Sequence, residues 1–195
     1  MNKTVEFFFD YVSPATYFAH ILLPDIAERT GAEIVYRPFL LGGVFKAIGH
    51  AAPMTIPAKG AWLLKDLERH AKRYKIPFEL NPHFPVNTIN LMRGACWIQE
   101  HGNLKAYSDA MFRAVWAEKR NMENEEEINS ILKELSINPA DFLNAIKNQE
   151  IKDKLRVNTD EAVKRGAFGA PTFFVDNEMF WGQDRLDFVE EALSQ

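Results

Sequence analysis

The spacing of hydrophobic positions divides this chain into three parts. Val5, Phe7 and Phe9 alternate, and Phe8 makes the run apolar on both faces. That pattern predicts a short central strand buried on both sides. The run stops at Asp10. A helix is predicted from about Pro14 to Arg29, with Gly31 as its stop. Ile34 to Arg37 reads as a second strand, ended by Pro38. Connections this short imply a parallel pair with a right-handed crossover.

The middle of the chain keeps to the helical period. Leu63, Leu67, His70, Ala71 and Tyr74 form one set, and Met92, Ala95, Cys96 and Gln99 a second. Leu104, Tyr107, Met111 and Val115 follow, then Ile128, Ile131, Leu132 and Leu135, then Phe142, Leu143 and Ile146. Each set marks an amphipathic helix. Asn138 with Pro139 is a helix start, an N-cap followed by a first-turn proline. Strand character returns late. A helix from about Glu150 ends at Gly166, Thr172 to Val175 is a strand, Asp176-Asn177 is a hairpin turn, and Glu178 to Trp181 is the partner strand. Asp184 is predicted to cap a last helix that carries Leu186, Val189 and Leu193 on one face. The order is βαβ, a helical block, then αββα. We read residues 1–45 and 150–195 as two halves of one sheet domain, and 46–149 as a helical insertion.

Composition narrows the function classes. The 195 residues are 47% hydrophobic and 26% charged, which is ordinary for a chain with its own core. A formal charge of −4 disfavours a general nucleic-acid binder, which needs a basic face. Glu6 and Asp10 interrupt the first apolar run, so it does not read as a signal peptide. No stretch approaches the ~20 apolar residues of a spanning helix. The single cysteine, Cys96, allows no internal disulfide, and a reducing cytoplasm is the expected location. The five histidines show no metal-ligand spacing.

The candidate chemistry begins at "FFFDYVSPATY". Ser13 sits where strand gives way to helix. As a nucleophile it would need an adjacent base. His20 lies seven positions along the same helix, about 10 Å away, and there is no Gly-x-Ser-x-Gly elbow. As a plain cap, Ser followed by Pro is a common helix start. The third reading is a hydroxyl that donates to an anion at the positive end of the helix. A thiolate would suit that position. A free thiol is only ~3% ionised at neutral pH, and lowering its pKa by two units requires about 2.7 kcal/mol. A hydrogen bond to a charged group offers roughly 1.5–3 kcal/mol, and a helix dipole up to ~1–2 more. Cys96 reads as a core residue, so the thiol would have to come from a ligand.

"GAFGAPTFFVD" and "WGQDRLDF" supply the other half. Pro171 stands directly before a strand, where a cis bond would turn the Ala170 backbone outward as an unpaired edge. A peptide ligand could add to such an edge. Gln183 and Asp184 form a helix start that could also hold an amino-acid head group. Lys59 lies in "IPAKGAW", and alone it reads as a solvated cation.

Together with "RPFLLGGVFKAIG" and "PAKGAWLLKDLERHAKRY", these stretches resemble the 2-hydroxychromene-2-carboxylate isomerases and the related kappa-class glutathione transferases. The resemblance covers nearly the whole chain. It implies an α/β thioredoxin-like fold interrupted by an all-helical insertion. Ser13 would stand where thioredoxins have their nucleophilic cysteine, and would hold and activate the thiol of bound glutathione. Ala170, before a cis Pro171, would pair with the backbone of the glutathione cysteine. Gln183 and Asp184 would bind the γ-glutamyl end, and Lys59 the glycine carboxylate. The kappa-class pattern has an asparagine contacting glutathione near His50, which makes His50 a candidate for that contact; otherwise it reads as a neutral pocket or surface residue rather than a metal ligand. The implied reaction interconverts 2-hydroxychromene-2-carboxylate and trans-o-hydroxybenzylidenepyruvate, a step of naphthalene breakdown. The aromatic carboxylate substrate would lie between the sheet domain and the insertion, with Phe39, Leu40, Trp62 and Arg93 as candidate contacts. A homodimer through the helical region is also implied. A kappa-type transferase or peroxidase would use the same site. A non-catalytic thioredoxin-like binding module would not bind glutathione. A disulfide oxidoreductase is disfavoured, because the chain has no Cys-x-x-Cys.

Overall fold

The computed structural model describes residues 3–195. Four strands form one sheet in the order β2-β1-β3-β4. They are β1 (Thr4–Phe9), β2 (Glu33–Pro38), β3 (Thr172–Val175) and β4 (Glu178–Trp181). β1 runs parallel to β2, with Phe7 opposite Tyr36, and antiparallel to β3, with Phe7 opposite Phe173. β3 and β4 form the expected hairpin, whose turn places Asp176 at a φ of 54°. The sheet is therefore assembled from both ends of the chain, as the βαβ…αββα order implies.

β1 is the central strand because both of its faces are apolar. Phe7 and Phe9 enter the larger core, where Phe7 stacks on Phe173 at 5.3 Å. Phe8 enters a smaller core on the opposite face with Phe39, Val44, Ala162 and Phe174. Helices cover both faces. α1 (Pro14–Thr30) follows β1, and α2 (Leu41–Ile48) follows β2. The middle contains α3 (Pro57–Tyr74), α4 (Ile89–His101), α5 (Leu104–Trp116), α6 (Glu125–Glu134) and α7 (Pro139–Lys147). α8 (Gln149–Lys164) and α9 (Leu186–Ser194) complete the fold. Every helix expected from the hydrophobic period is present. α2 is an addition: its eight residues include Gly42 and Gly43, and only Val44 is buried.

The start of α9 corrects one expectation. Asp184 does not cap that helix. Gln183–Arg185 form a separate 3-10 turn, Arg185 occupies the cap position without a side-chain bond, and Asp184 pairs with Arg185 at 2.9 Å. Gly182 sets this up. At a φ of 102° it redirects the chain, and a Cβ there would lie 2.5 Å from Asp184 Oδ1. Leu186, Val189 and Leu193 are buried on one face of α9, as expected.

The helices of the middle and the larger face of the sheet share one continuous core. Phe112 of α5 packs edge-on against Tyr11 at 4.8 Å, and the Tyr11 hydroxyl shares a hydrogen bond with Ser108 Oγ at 2.9 Å. The Trp116 indole N–H donates to the Tyr11 carbonyl at 2.8 Å. Burial of a tryptophan of this kind stabilises by roughly 3–5 kcal/mol. Its direction matters as much: the end of α5 is fixed to the turn that follows β1.

Candidate active site

That turn, residues 10–13, carries Ser13 into position. Ser13 has extended backbone angles and caps α1, its Oγ accepting from the Thr16 N–H at 3.2 Å. Pro14 occupies the first helical position, where its missing N–H costs nothing. The Ser13 hydroxyl has one proton, and it donates that proton to the Ala170 carbonyl at 3.1 Å. Ala170 precedes β3, and the Ala170–Pro171 peptide is cis. Among the described residues nothing accepts from the Ala170 N–H. Two segments 157 residues apart in sequence thus meet at one hydroxyl.

The second strand of the hairpin adds to this corner. The Gly182 N–H donates to the Pro171 carbonyl at 3.1 Å, so the turn with Gln183 and Asp184 begins beside the Ala170–Pro171 edge. The same 3-10 turn packs against α1. Gln183 is half-buried and Asp184 exposed.

Other expected site residues lie apart. Lys59 is exposed in the first turn of α3, and its side chain has no hydrogen bond or ion pair among the described residues. His50 is exposed just after α2, its ring edge-on to Phe45 at 5.7 Å. Neither bonds to Ser13, Ala170 or the 183–185 turn. Trp62 is 57% exposed on α3. Phe39 is wholly buried against Phe8, at 5.8 Å, and is a core residue rather than an open pocket wall. The half-buried Leu40 donates its N–H to Thr159 Oγ1 at 2.9 Å. Arg93 of α4 is half-buried, and its Nε is enclosed without a partner. It makes no ion pair among the described residues.

Cys96 is fully enclosed in α4, and burial pushes its thiol up to about 12. A reactive sulfur at Ser13 therefore has no source in the folded chain. Among the described residues, no three His, Cys, Asp or Glu side chains are grouped so as to hold a metal. Among the described residues, no helix is long and apolar enough to cross a membrane. Two cavities lie away from this corner. One, of about 360 Å³, is lined by Trp97, His101, Asn103 and Tyr107, together with the segment before α7. The other, of about 330 Å³, lies between α1 and the end of α5, with Tyr17, His20, Asp109 and Arg113 in its wall. No expected site residue lines either one.

Asp10 is a feature of this corner that residue spacing did not assign. Its carboxylate is buried and accepts from Thr88 Oγ1 at 2.6 Å, the Leu41 N–H at 2.9 Å and the Val12 N–H at 3.1 Å. Burial raises its pKa above the ordinary value, and the three donors oppose that rise. A signal was present: an acid at the end of "FFFD" interrupts a run otherwise fit for a core.

Comparison with known proteins shows the family. The model of the DSBA-like thioredoxin domain matches residues 4–194. The chain belongs to that family. Among its DSBA-like relatives, a 2-hydroxychromene-2-carboxylate isomerase of Sphingobium xenophagum is 31% identical over 99% of each chain. Glutathione S-transferase kappa 1 of Rattus norvegicus is 27% identical over 99% of this chain and 92% of its own. A solved structure of a 2-hydroxychromene-2-carboxylate isomerase superposes with a TM-score of 0.89 at 29% identity, covering 97% of this chain and 94% of that one. The resemblance seen in the sequence thus extends to the whole DSBA-like fold, helical middle included.

Proposed function

We propose that this chain is an isomerase that interconverts 2-hydroxychromene-2-carboxylate and trans-o-hydroxybenzylidenepyruvate in the breakdown of naphthalene-type aromatics, with glutathione as cofactor. The observation that carries the reading is the Ser13 hydroxyl held against the Ala170 backbone at the N-terminus of α1, in a chain whose relatives include named isomerases of this substrate. The residues fit a small peptide with a thiol. Ala170 offers an N–H without an acceptor beside a carbonyl, the strand-like edge that pairs with a peptide backbone. The chemistry that glutathione supplies when bound is a thiolate for reversible addition to the conjugated enone of the ring-opened substrate, so that a double bond becomes a rotatable single bond and is then restored.

Everything else is done by the chain. Ser13 turns its one proton from the Ala170 carbonyl to the sulfur, and the α1 N-terminus adds a positive potential. These two effects favour the ionised thiol over the neutral one. Ala170 aligns the cysteine backbone, Gln183 and Asp184 hold the γ-glutamyl end, and Lys59 meets the glycine carboxylate. His50, exposed after α2, is a further candidate contact for glutathione. Trp62 offers an exposed ring to the aromatic substrate, and Arg93 a guanidinium without a partner to its carboxylate. A cytoplasmic homodimer belongs to the same reading.

The test is a comparison of three substrates with and without glutathione. Interconversion of the chromene acid that requires glutathione supports the isomerase. Faster turnover of a chloro-dinitro aromatic or a hydroperoxide would replace it with a kappa-type transferase or peroxidase. No heat of glutathione binding in calorimetry would leave a binding module.

A further inference from the structure

Three helix starts converge on the Asp10 carboxylate. Leu41, the first residue of α2, donates its N–H to Oδ2. Thr88, at the start of α4, donates its hydroxyl to Oδ1. Val12, one residue before the α1 cap, donates its N–H to Oδ1. The Asp10 carbonyl accepts from the Ser13 N–H at 3.1 Å, closing the turn on its own residue.

The two distant helices leave this role open. Neither α2 nor α4 has a side-chain cap of its own. Thr88 in particular is a residue type that usually caps by accepting from its own helix. Here its hydroxyl is turned away and donates to Asp10 instead. No cation pairs with Asp10 among the described residues, so the charge is stabilised by three donors, each at the positive end of a helix. The Trp116 bond to the Tyr11 carbonyl holds the next residue of the same turn. A turn bearing a functional hydroxyl is thus anchored from the second strand's helix and from the helical middle.

We propose that Asp10 is the positioning residue for Ser13: its carboxylate ties the 10–13 turn to the starts of α2 and α4, and so fixes where the Ser13 hydroxyl meets a bound thiolate. This rests on the reading of Ser13 as the thiolate's donor. A misplacement of about 1 Å in such a donor is enough to cost a large factor in function.

The test is a double-mutant cycle on the full chain, read by ultraviolet titration of bound glutathione and by thermal melting. Thr88→Val removes one donor to Asp10, changes no charge and breaks no cap. It is expected to raise the bound-thiol pKa and to cut turnover about tenfold, a positioning-sized loss. Thr88→Ser restores both. In the Ser13→Ala background Thr88→Val is expected to leave the thiol pKa where it is, because a positioning residue has nothing left to position. Asp10→Asn, a second variant of nearly the same shape, is expected to show the same dependence of turnover on Ser13. An equal pKa shift in both backgrounds would overturn the proposal, as would a lowered melting temperature with an unchanged thiol pKa. If Ser13→Ala alone leaves the thiol pKa unmoved, or the unaltered chain binds no glutathione, the reading of Ser13 falls, and the role of Asp10 with it.

Discussion

In the proposed reading the 10–13 turn and the segment from Ile48 to Lys59 serve the same ligand, yet they are built in opposite ways. The turn is buried, and its bonds reach far along the chain, to Leu41, Thr88, Trp116 and Ala170. The segment is mostly exposed, and its bonds stay local: His50 N–H to the Phe45 carbonyl, Thr55 N–H to Ala52, Gly60 N–H to Ile56. Long-range bonds hold a group in place before any ligand arrives, which suits the donor that must meet a developing charge. Local bonds leave a segment free to settle around a carboxylate or a ring, at an ordering cost taken on binding. One region supplies preorganisation and the other adaptability.

The comparison can be broken at four points, from the largest effect to the smallest. Ser13→Ala should raise the bound-thiol pKa and lower turnover by about 10²-fold, the loss typical of one positioned anion donor. A residue that only capped α1 would lose about 1 kcal/mol of stability and leave the thiol alone. Asp10→Ala leaves the Thr88 hydroxyl and two backbone N–H groups without an acceptor. It should cost roughly 2–4 kcal/mol in urea unfolding, and a loss no larger than that of a surface site would show that the turn is not anchored through it. Lys59→Ala removes no ion pair, so the urea midpoint should stay put while the glutathione Kd rises about fivefold, worth about 1 kcal/mol. A shifted midpoint would move Lys59 from the adaptable region to the structural one.

The smallest effect lies outside both regions. Burial pushes the Asp109 carboxyl up, but hydrogen bonds from His20 at 2.6 Å and Lys105 at 2.8 Å outweigh that and hold it below its ordinary 3.8. A carboxylate depressed in the folded state gives its full stabilisation above 3.8 and loses it as pH falls through the lower folded value. Asp109→Asn should therefore flatten the acid limb of a melting curve against pH and leave the thiol titration unchanged.

The fold was legible because its signals are local. Alternation with an extra Phe8 marked a strand apolar on both faces, and Ser13-Pro14 and Asn138-Pro139 marked helix starts that the structure contains. The Asp184 cap failed for a local reason too, since the positive φ of Gly182 spends the turn before the helix begins. The Ser13 to Ala170 contact could be suspected only from family resemblance, because no period connects residues so far apart. The role of Asp10 was out of reach for the same reason: its partners are spread over three segments. α2 was missed because it shows one buried residue and two glycines, too little for a helical stripe.

The burial of Cys96 has a consequence for how such a protein would fare under oxidative stress. With its single thiol enclosed in α4 and pushed up to about 12, the folded chain offers peroxide no thiolate to oxidise and oxidised glutathione no partner for a mixed disulfide. Cysteine oxidation is thereby closed off in the folded state, and what oxidisable sulfur the chain still presents is thioether, as at the half-buried Met54 and Met179. If the proposed cofactor is right, the thiol chemistry of oxidative stress would act on the pool of reduced glutathione and leave no disulfide on the chain.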